Sequence, residues 1–454
     1  MSTQTFSELS SVVETEAKKL SQAKVPIITV SGTYRKELLK QYECFSKINS
    51  EAIFSRAHYS MAEAVRQACL DQKLTAHVVD PTNFVDTNDW SKIDFTEFVG
   101  QQMARNKPLK WLKDKIDTVV RNKLPITDAI TPPLESLIEP VTKPIISMHY
   151  EAGNVAQRNG KKVLQVITDP HVRPQYLDGL AGVDKLTRHS DNQTKPINQL
   201  TNQLNNQITY AVFDSQTKAE LMAKAKELGK QLSEDQVEVT GPPVDPRISK
   251  LLKKKNIYEA KRPLNIAITT GGLGTNLAEI KHVLEELEPL LKTYPEKIRL
   301  FLYAGTHRDF RNFFEKFASE NNLRIGDLDD TKARVRILYE DSIVDANENL
   351  IEHMFPWADV ILTKPSGDMA YEAIACGAVP LFLEPWGEWE ENVQKRLTEL
   401  HVGFDFDSQN AHAQMLKYFK FKTIIKAQME IRELDSNYFQ GARNIVKLQQ
   451  SLLG

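Results

Sequence analysis

A carboxylate stands where an apolar helix should be buried. In "ADVILTKPSGDMAYEAIACGAVPLFLEPWGEWEENV", Ala358 to Val393, the order reads strand, loop, helix, strand, acidic loop. Met369, Ala373 and Cys376 make one apolar stripe of the helix, with Ala370, Ile374 and Gly377 beside it. The stripe packs the helix on a sheet and turns its N-terminus to the crevice at the strand ends. Glu372 lies in the first two turns, toward that same end. A carboxylate there suits the two hydroxyls of a ribose, the logic of the acidic residue in dinucleotide folds. It also suits the helix dipole or a nearby Lys. A second loop of the same kind lies in "IAITTGGLGTNLAEIKHVLEEL". Gly271, Gly272 and Gly274 let the backbone approach an anion, and the following helix N-terminus offers N–H groups. The glycines also suit a tight βα turn with no ligand.

These loops need strands to carry them. Ten apolar runs read as strands. Five come first: Val25–Gly32, Thr75–Asp80, Lys143–His149, Lys161–Asp169 and Ile208–Ser215. Five follow: Leu264–Gly272, Ile298–Gly305, Arg334–Glu340, Ala358–Lys364 and Val379–Pro385. Several are β-branched and apolar on both faces, as in a parallel sheet covered by helices. Helical patterns such as "SMAEAVRQACL" and "DFRNFFEKFASEN" alternate with them, which means α/β with right-handed crossovers. A Pro- and Lys-rich stretch separates the two sets and places a boundary within Pro242–Pro263. The expected domains are 1–245 and 246–435, with a C-terminal helix over 436–454 packing back across the junction. The polar run Thr187–Gln207 reads as a surface loop.

The 454 residues are 41% hydrophobic and 26% charged, the composition of a soluble globular protein. Lys+Arg 58 against Asp+Glu 60 is near balance, which argues against nucleic acid as a partner. Three scattered cysteines, Cys44, Cys69 and Cys376, fit a reducing compartment. The N-terminal residues lack a signal-peptide pattern, and no run reaches the ~18 apolar residues of a span. The expectation is a cytoplasmic protein able to sit on the inner face of the membrane.

The opening segment resembles the donor site of GT-B glycosyltransferases. It is most similar to the monogalactosyldiacylglycerol synthases, the processive diacylglycerol glucosyltransferases and the lipid II-forming N-acetylglucosaminyltransferase. "PIISMHYEAGNVAQRNGKKVLQVITDPHVRPQYLDGL" and the stretch ending "VTGPPVDPRI" are similar to the same family. The likeness covers about Lys143 to Phe406, and weaker similarity reaches back to Ser55. It implies a GT-B fold, two Rossmann-like doubly wound domains facing across a cleft, with acceptor in the first and UDP-sugar in the second. It implies that Glu372 holds the ribose. Gly271, Gly272, Gly274, Thr275, Lys364, Ser366, Gly367 and Asp368 would surround the phosphates. Glu388, Glu390, Glu391 and Asn392, in a polar loop, would contact the sugar. That loop also reads as solvated acid.

An inverting transfer needs a base for the acceptor hydroxyl, and imidazole is poised for this at neutral pH. The likeness carries that role to His58 in "IFSRAHYSMAEAVRQA", at the junction of a loop and the helix Ser60–Ala68. Ser55, Arg56 and Ala57 replace the family's glycines, and about twenty extra residues precede them. A surface or capping role also fits His58. His149 is the second candidate base, and Asp169 with His171 the third. No cofactor and no metal site are expected. "DLDD", Asp327–Asp330, reads as a solvated loop, so Lys364, Ser366, backbone amides and helix dipoles would stabilise the leaving diphosphate. "NKPLKWLKDKIDTVVRNKLP", Asn106–Pro125, is basic and amphipathic, which suits a membrane-surface helix and a lipid acceptor, or an ordinary surface helix. A sugar-nucleotide epimerase or hydrolase, and a non-catalytic nucleotide-sugar-binding subunit, are the alternative functions.

Overall fold

The computed structural model describes residues 3–32, 56–85, 126–180, 207–272, 274–420 and 422–453. The calls on Asn106–Pro125 and on most of Thr187–Gln207 lie outside these. The chain forms two compact units, one of residues up to Asp245 together with 440–453, the other Pro246–Phe439.

The first unit is built on a six-stranded parallel sheet. Its strands are β1 (Val25–Ile28), β2 (Ala76–Val79), β3 (Ile145–Ser147), β4 (Val163–Val166), β5 (Ile208–Val212) and β6 (Val237–Val239). Among the described residues its helices are α1 (Thr3–Gln22), α2 (Arg56–Asp71), α3 (Ile126–Ile138), α4 (Tyr150–Arg158) and α5 (Ser215–Glu227). β1, β3 and β4 are buried along their whole length, as their apolar residues require. Leu20 of α1, Leu134 of α3 and Val155 of α4 join Ile28, Ile145 and Val163 in one core. Each such side chain contributes roughly 1.5–3 kcal/mol by leaving water. Asp214 starts α5 by accepting from Thr217 N at 2.7 Å.

The second unit has a seven-stranded parallel sheet. It comprises β7 (Leu264–Thr269), β8 (Ile298–Gly305), β9 (Ile325–Gly326), β10 (Val335–Tyr339), β11 (Val360–Thr363), β12 (Val379–Phe382) and β13 (Phe404–Asp405). Its principal helices are α6 (Leu277–Thr293), α7 (Arg308–Glu320), α8 (Ile343–Asn349), α9 (Met369–Ala375), α10 (Glu388–Glu399), α11 (Ala411–Lys420) and α12 (Thr423–Glu433). The last helix, α13 (Asn437–Ser451), begins in this unit and passes at Gln440 into the first.

Strand order decides where each unit can hold a ligand. The first sheet runs β2-β1-β3-β4-β5-β6. The chain goes outward from β1 to β2, then returns to β3 on the other side. The second runs β13-β12-β11-β7-β8-β10-β9 and reverses likewise between β7 and β11. At such a reversal the loops at the carboxyl ends diverge and leave a crevice. β6, β9 and β13 were not foreseen; all three are edge strands of two or three residues, and none carries a legible apolar pattern. Glu388, Glu390, Glu391 and Asn392, expected in a loop, form the start of α10.

Candidate functional site

In the first unit, the loop after β1 is held by a residue the sequence reading passed over. Asp80 follows β2 and is buried. Its Oδ2 accepts from Ser31 N at 2.7 Å, Ser31 Oγ at 2.9 Å and Gly32 N at 2.8 Å. Its Oδ1 accepts from Thr82 N at 3.0 Å and Thr82 Oγ1 at 2.6 Å. Burial pushes the carboxyl up, while the Thr82 and Ser31 donors oppose the shift. Three of the five donors are backbone amides that can only donate, so the loop is built around the carboxylate. Gly32 has φ +68°, the left-handed turn that lets its N–H reach Asp80.

This loop positions His58. Thr29 Oγ1 donates to the His58 carbonyl at 3.1 Å, and His58 Nδ1 lies 3.3 Å from Val30 O. A carbonyl only accepts, so Nδ1 carries a proton, and Nε2 is the acceptor when the ring is neutral. Nε2 lies 3.4 Å from Thr168 Oγ1, which in turn is 3.3 Å from the Tyr176 hydroxyl. His58 is within the first turn of α2 rather than at its junction, because the helix starts at Arg56.

His149, at the end of β3, meets His58 edge to face with ring centroids 5.1 Å apart. It is the N-cap of α4, and its Nδ1 accepts from Glu151 N at 3.3 Å. The ring stacks on Tyr150 at 4.4 Å. Burial, then the neighbouring His58 and Arg173, holds His149 well below the usual imidazole range. Because Nδ1 accepts from an amide, the proton of the neutral ring is on Nε2. Asp169 follows Thr168 beyond β4, next to β3 in the sheet. Burial, together with the Asp169 charge, pushes Tyr176 up to about 12. The β1–β3 reversal thus gathers His58, His149, Thr168 and Tyr176. His171 lies beyond them, half-buried.

In the second unit the two quoted loops leave adjacent strands, β7 and β11, on either side of the reversal. Gly274 takes φ +59° and closes the glycine turn with its N–H on Gly271 O at 2.8 Å. Asn276, the N-cap of α6, makes no side-chain cap bond. Its Oδ1 instead accepts from Thr270 Oγ1 and Gly271 N, both at 3.4 Å. Thr275 is half-buried beside it. His307, after β8, brings Nε2 to 3.0 Å from Gly272 O. The reading missed it, although "AGTH" at a strand end was the available signal.

Lys364 is buried, and a Cβ on Gly271 would lie 3.5 Å from its Cδ, so its stem runs along the glycine loop. Its Nζ is 3.2 Å from Glu390 Oε2, which also accepts from Trp386 N at 2.6 Å. Glu390 faces inward with Val393 and Leu397, while Glu388 and Glu391 on the opposite face of α10 are exposed and Asn392 is half-buried. The cation expected for the diphosphate is therefore paired with a carboxylate. Ser366, expected to donate to a phosphate, donates to Asp368 Oδ1 at 2.6 Å. Gly367 is buried in the same turn. Asp368, the N-cap of α9, makes no side-chain cap bond, and Glu372 is buried in the first turn.

Asp327–Asp330 forms a turn, with Asp330 N on Asp327 O at 3.0 Å. Among the described residues no group of His, Cys, Asp and Glu is placed to hold a metal ion.

Neither a family model nor a curated protein matches this sequence. Solved structures do. The spinosyn forosaminyltransferase SpnP is 12% identical, covers 95% of this chain and 100% of its own, with TM-score 0.47. Acinetobacter baumannii MurG is 15% identical over 72% of this chain and 78% of its own, with TM-score 0.41. UDP-GlcNAc 2-epimerase from Neisseria meningitidis is 14% identical over 72% of this chain and 82% of its own, with TM-score 0.46. At such values the likeness concerns the course of the chain, and the chemistry has to be argued from the residues.

Proposed function

We propose that the chain is a GT-B glycosyltransferase moving a hexose or N-acetylhexosamine from a UDP-sugar to a hydroxyl of a lipid acceptor, by direct displacement with inversion. The observation that carries this is the pairing of content with topology. One sheet reversal gathers an imidazole whose Nε2 is the acceptor when the ring is neutral, and the other gathers a glycine loop, a buried lysine and an α9 carboxylate. In this reading His58 Nε2 takes the acceptor O–H proton while that oxygen attacks the anomeric carbon. The bond from that carbon to the diphosphate breaks, and UDP leaves with the electron pair. His149 donates its Nε2–H to the acceptor. Glu372 receives the ribose hydroxyls. Lys364 exchanges Glu390 for the diphosphate, and amides of the glycine loop and of the α9 N-terminus share the charge. The basic segment 106–125 would hold the protein at the lipid surface.

The test is product analysis by mass spectrometry with UDP-glucose, UDP-galactose and UDP-GlcNAc, with and without a membrane lipid extract. Lipid-dependent transfer is the expected result. His58→Ala should lower turnover by ~100-fold or more, the usual size of a general base, with UDP affinity nearly unchanged. Consumption of the sugar nucleotide without acceptor would replace this reading by an epimerase or hydrolase. UDP binding with no turnover would mean a binding subunit.

A further inference from the structure

The second unit has a cavity of about 620 Å³ at the other edge of its sheet. Its lining includes Asn265 near the start of β7, Arg336 near the start of β10 and Asp359 just before β11. It lies at the amino ends of the strands, whereas the loops that gather Lys364 and Glu372 lie at the carboxyl ends.

Arg336 is fully buried. Its guanidinium sits in an aromatic corner, 4.9 Å from the ring centre of Phe301 and 4.4 Å from that of Trp357, the two rings being 6.1 Å apart. Nη1 donates to Leu328 O at 2.6 Å. Nε and Nη2, which form one planar fork, have no hydrogen-bond partner among the described residues. A buried cation with an open fork is destabilising unless something fills it. Burial lowers Arg336 to about 10, so it is still a cation at neutral pH.

The other basic groups on the lining are committed, while the exposed carboxylates Asp329 and Glu352 approach His353, and Asp329 also acts on Arg336 through space. Arg262 makes two bonds to Asp359, each 2.6 Å. Lys255 donates to the carbonyls of Phe355 and Ala358. Asp329 lies 3.4 Å from His353 Nδ1, and Glu352 lies 3.9 Å from its Nε2. One further polar atom is open: Asn265 donates to Trp357 O at 3.0 Å, but its Oδ1 has no partner among the described residues. Arg336, Asn265 and Trp357 all line the cavity, so a two-donor fork and one acceptor lie just beneath its wall, beside an indole.

We infer that this cavity is a second ligand site, for a small metabolite that presents a carboxylate or phosphate to the Arg336 fork and a hydroxyl or amine to Asn265 Oδ1. A carboxylate or phosphate edge matches the fork with two parallel bonds, which an isolated acceptor does not. The volume is that of ordinary small-molecule sites. The inference is independent of the sugar-transfer reading, because it uses none of the same residues.

Calorimetric titration of the full chain with inorganic phosphate and with malate, at constant ionic strength, tests it. Arg336→Met removes the fork and keeps the apolar stack. Thr331→Trp plugs the exposed lip and leaves Arg336 in place, so the test survives if the first variant does not fold. Lys364→Ala reports binding at the opposite edge. The expected result is that at least one anion binds wild type and Lys364→Ala alike, and binds both cavity variants at least tenfold more weakly. Preference for phosphate or for malate assigns the ligand's anionic group. The inference fails if neither anion binds, if cavity variants retain wild-type affinity, or if Lys364→Ala abolishes binding.

Discussion

Glu372 and Glu390 show how one residue type divides into two roles within a single unit. Glu390 is turned inward by the period of α10 and neutralises Lys364 at 3.2 Å. Glu372 is buried in the first turn of α9, near a positive dipole end. Under the proposed function a ligand diphosphate would compete with Glu390 for Lys364, and ribose would bond Glu372. Glu372→Ala should therefore weaken UDP binding by ~1–3 kcal/mol, the range for charged hydrogen bonds, with the fold retained. Calorimetry with UDP is the measurement, and unchanged affinity would remove Glu372 from the ribose role.

At the scale of elements, carboxylates hold the first unit's helices and loops to its strands. Asp80 joins the loop after β1 to the turn after β2 through five hydrogen bonds. Asp80→Ala leaves buried donors without an acceptor, so a loss of roughly 3 kcal/mol or more in urea unfolding is expected. His58 rests on that loop, and its turnover should fall with it. Glu16 of α1 receives His77 Nε2 of β2 at 2.8 Å and Lys19 Nζ at 2.7 Å. Burial pushes Glu16 up, but these bonds outweigh it and hold the group at about 2 instead of 4.5. Because the folded value is depressed, the stabilisation is complete above 4.5 and is lost as pH falls toward 2. Unfolding free energy should drop by on the order of 2 kcal/mol across that window, allowing for the solvent around Lys19. Glu16→Gln should flatten the drop in a pH series of urea titrations.

For the molecule as a whole, α13 is the element that both units own. Tyr438, in its first turn, stacks with Tyr371 of α9 at 6.3 Å in the second unit. From Gln440 onward the helix belongs to the first unit, where Ile445 and Val446 are buried. There Gln449 Nε2 donates to Pro144 O at 2.9 Å, just before β3. Gly441 is the point of closest approach: a Cβ there would fall 2.0 Å from Pro242 O and 2.5 Å from Gly241 O. Backbone cannot give way as a side chain does. Gly441→Ala should lift the helix and cost ~1–3 kcal/mol or more. Urea unfolding reports it, and wild-type stability in that variant would mean that α13 does not bear on the first sheet as described.

Long apolar runs such as "KKVLQVITD", "ITYAVFDS" and "ADVILTK" announced β4, β5 and β11 from composition alone. A central strand of a parallel sheet is covered on both faces and must be apolar on both. The alternation with helical patterns was equally local, and so was the parallel α/β class. Short strands escaped because β6, β9 and β13 have two or three residues, too few for a period. The glycine loop and the α9 carboxylate were legible as residues, but their adjacency was not. It follows from β7 pairing with β11, nearly a hundred residues apart. His58, His149 and Thr168 likewise meet only because β1, β3 and β4 are neighbours. Which nitrogen of His58 bears the proton, which carboxylate takes Lys364 and which acid anchors the loop after β1 all depend on partners distant in sequence. Local propensity and periodicity act over a few residues, so they settle the elements. Hydrogen-bond partners and ion pairs are set by strand order, which only the folded chain decides.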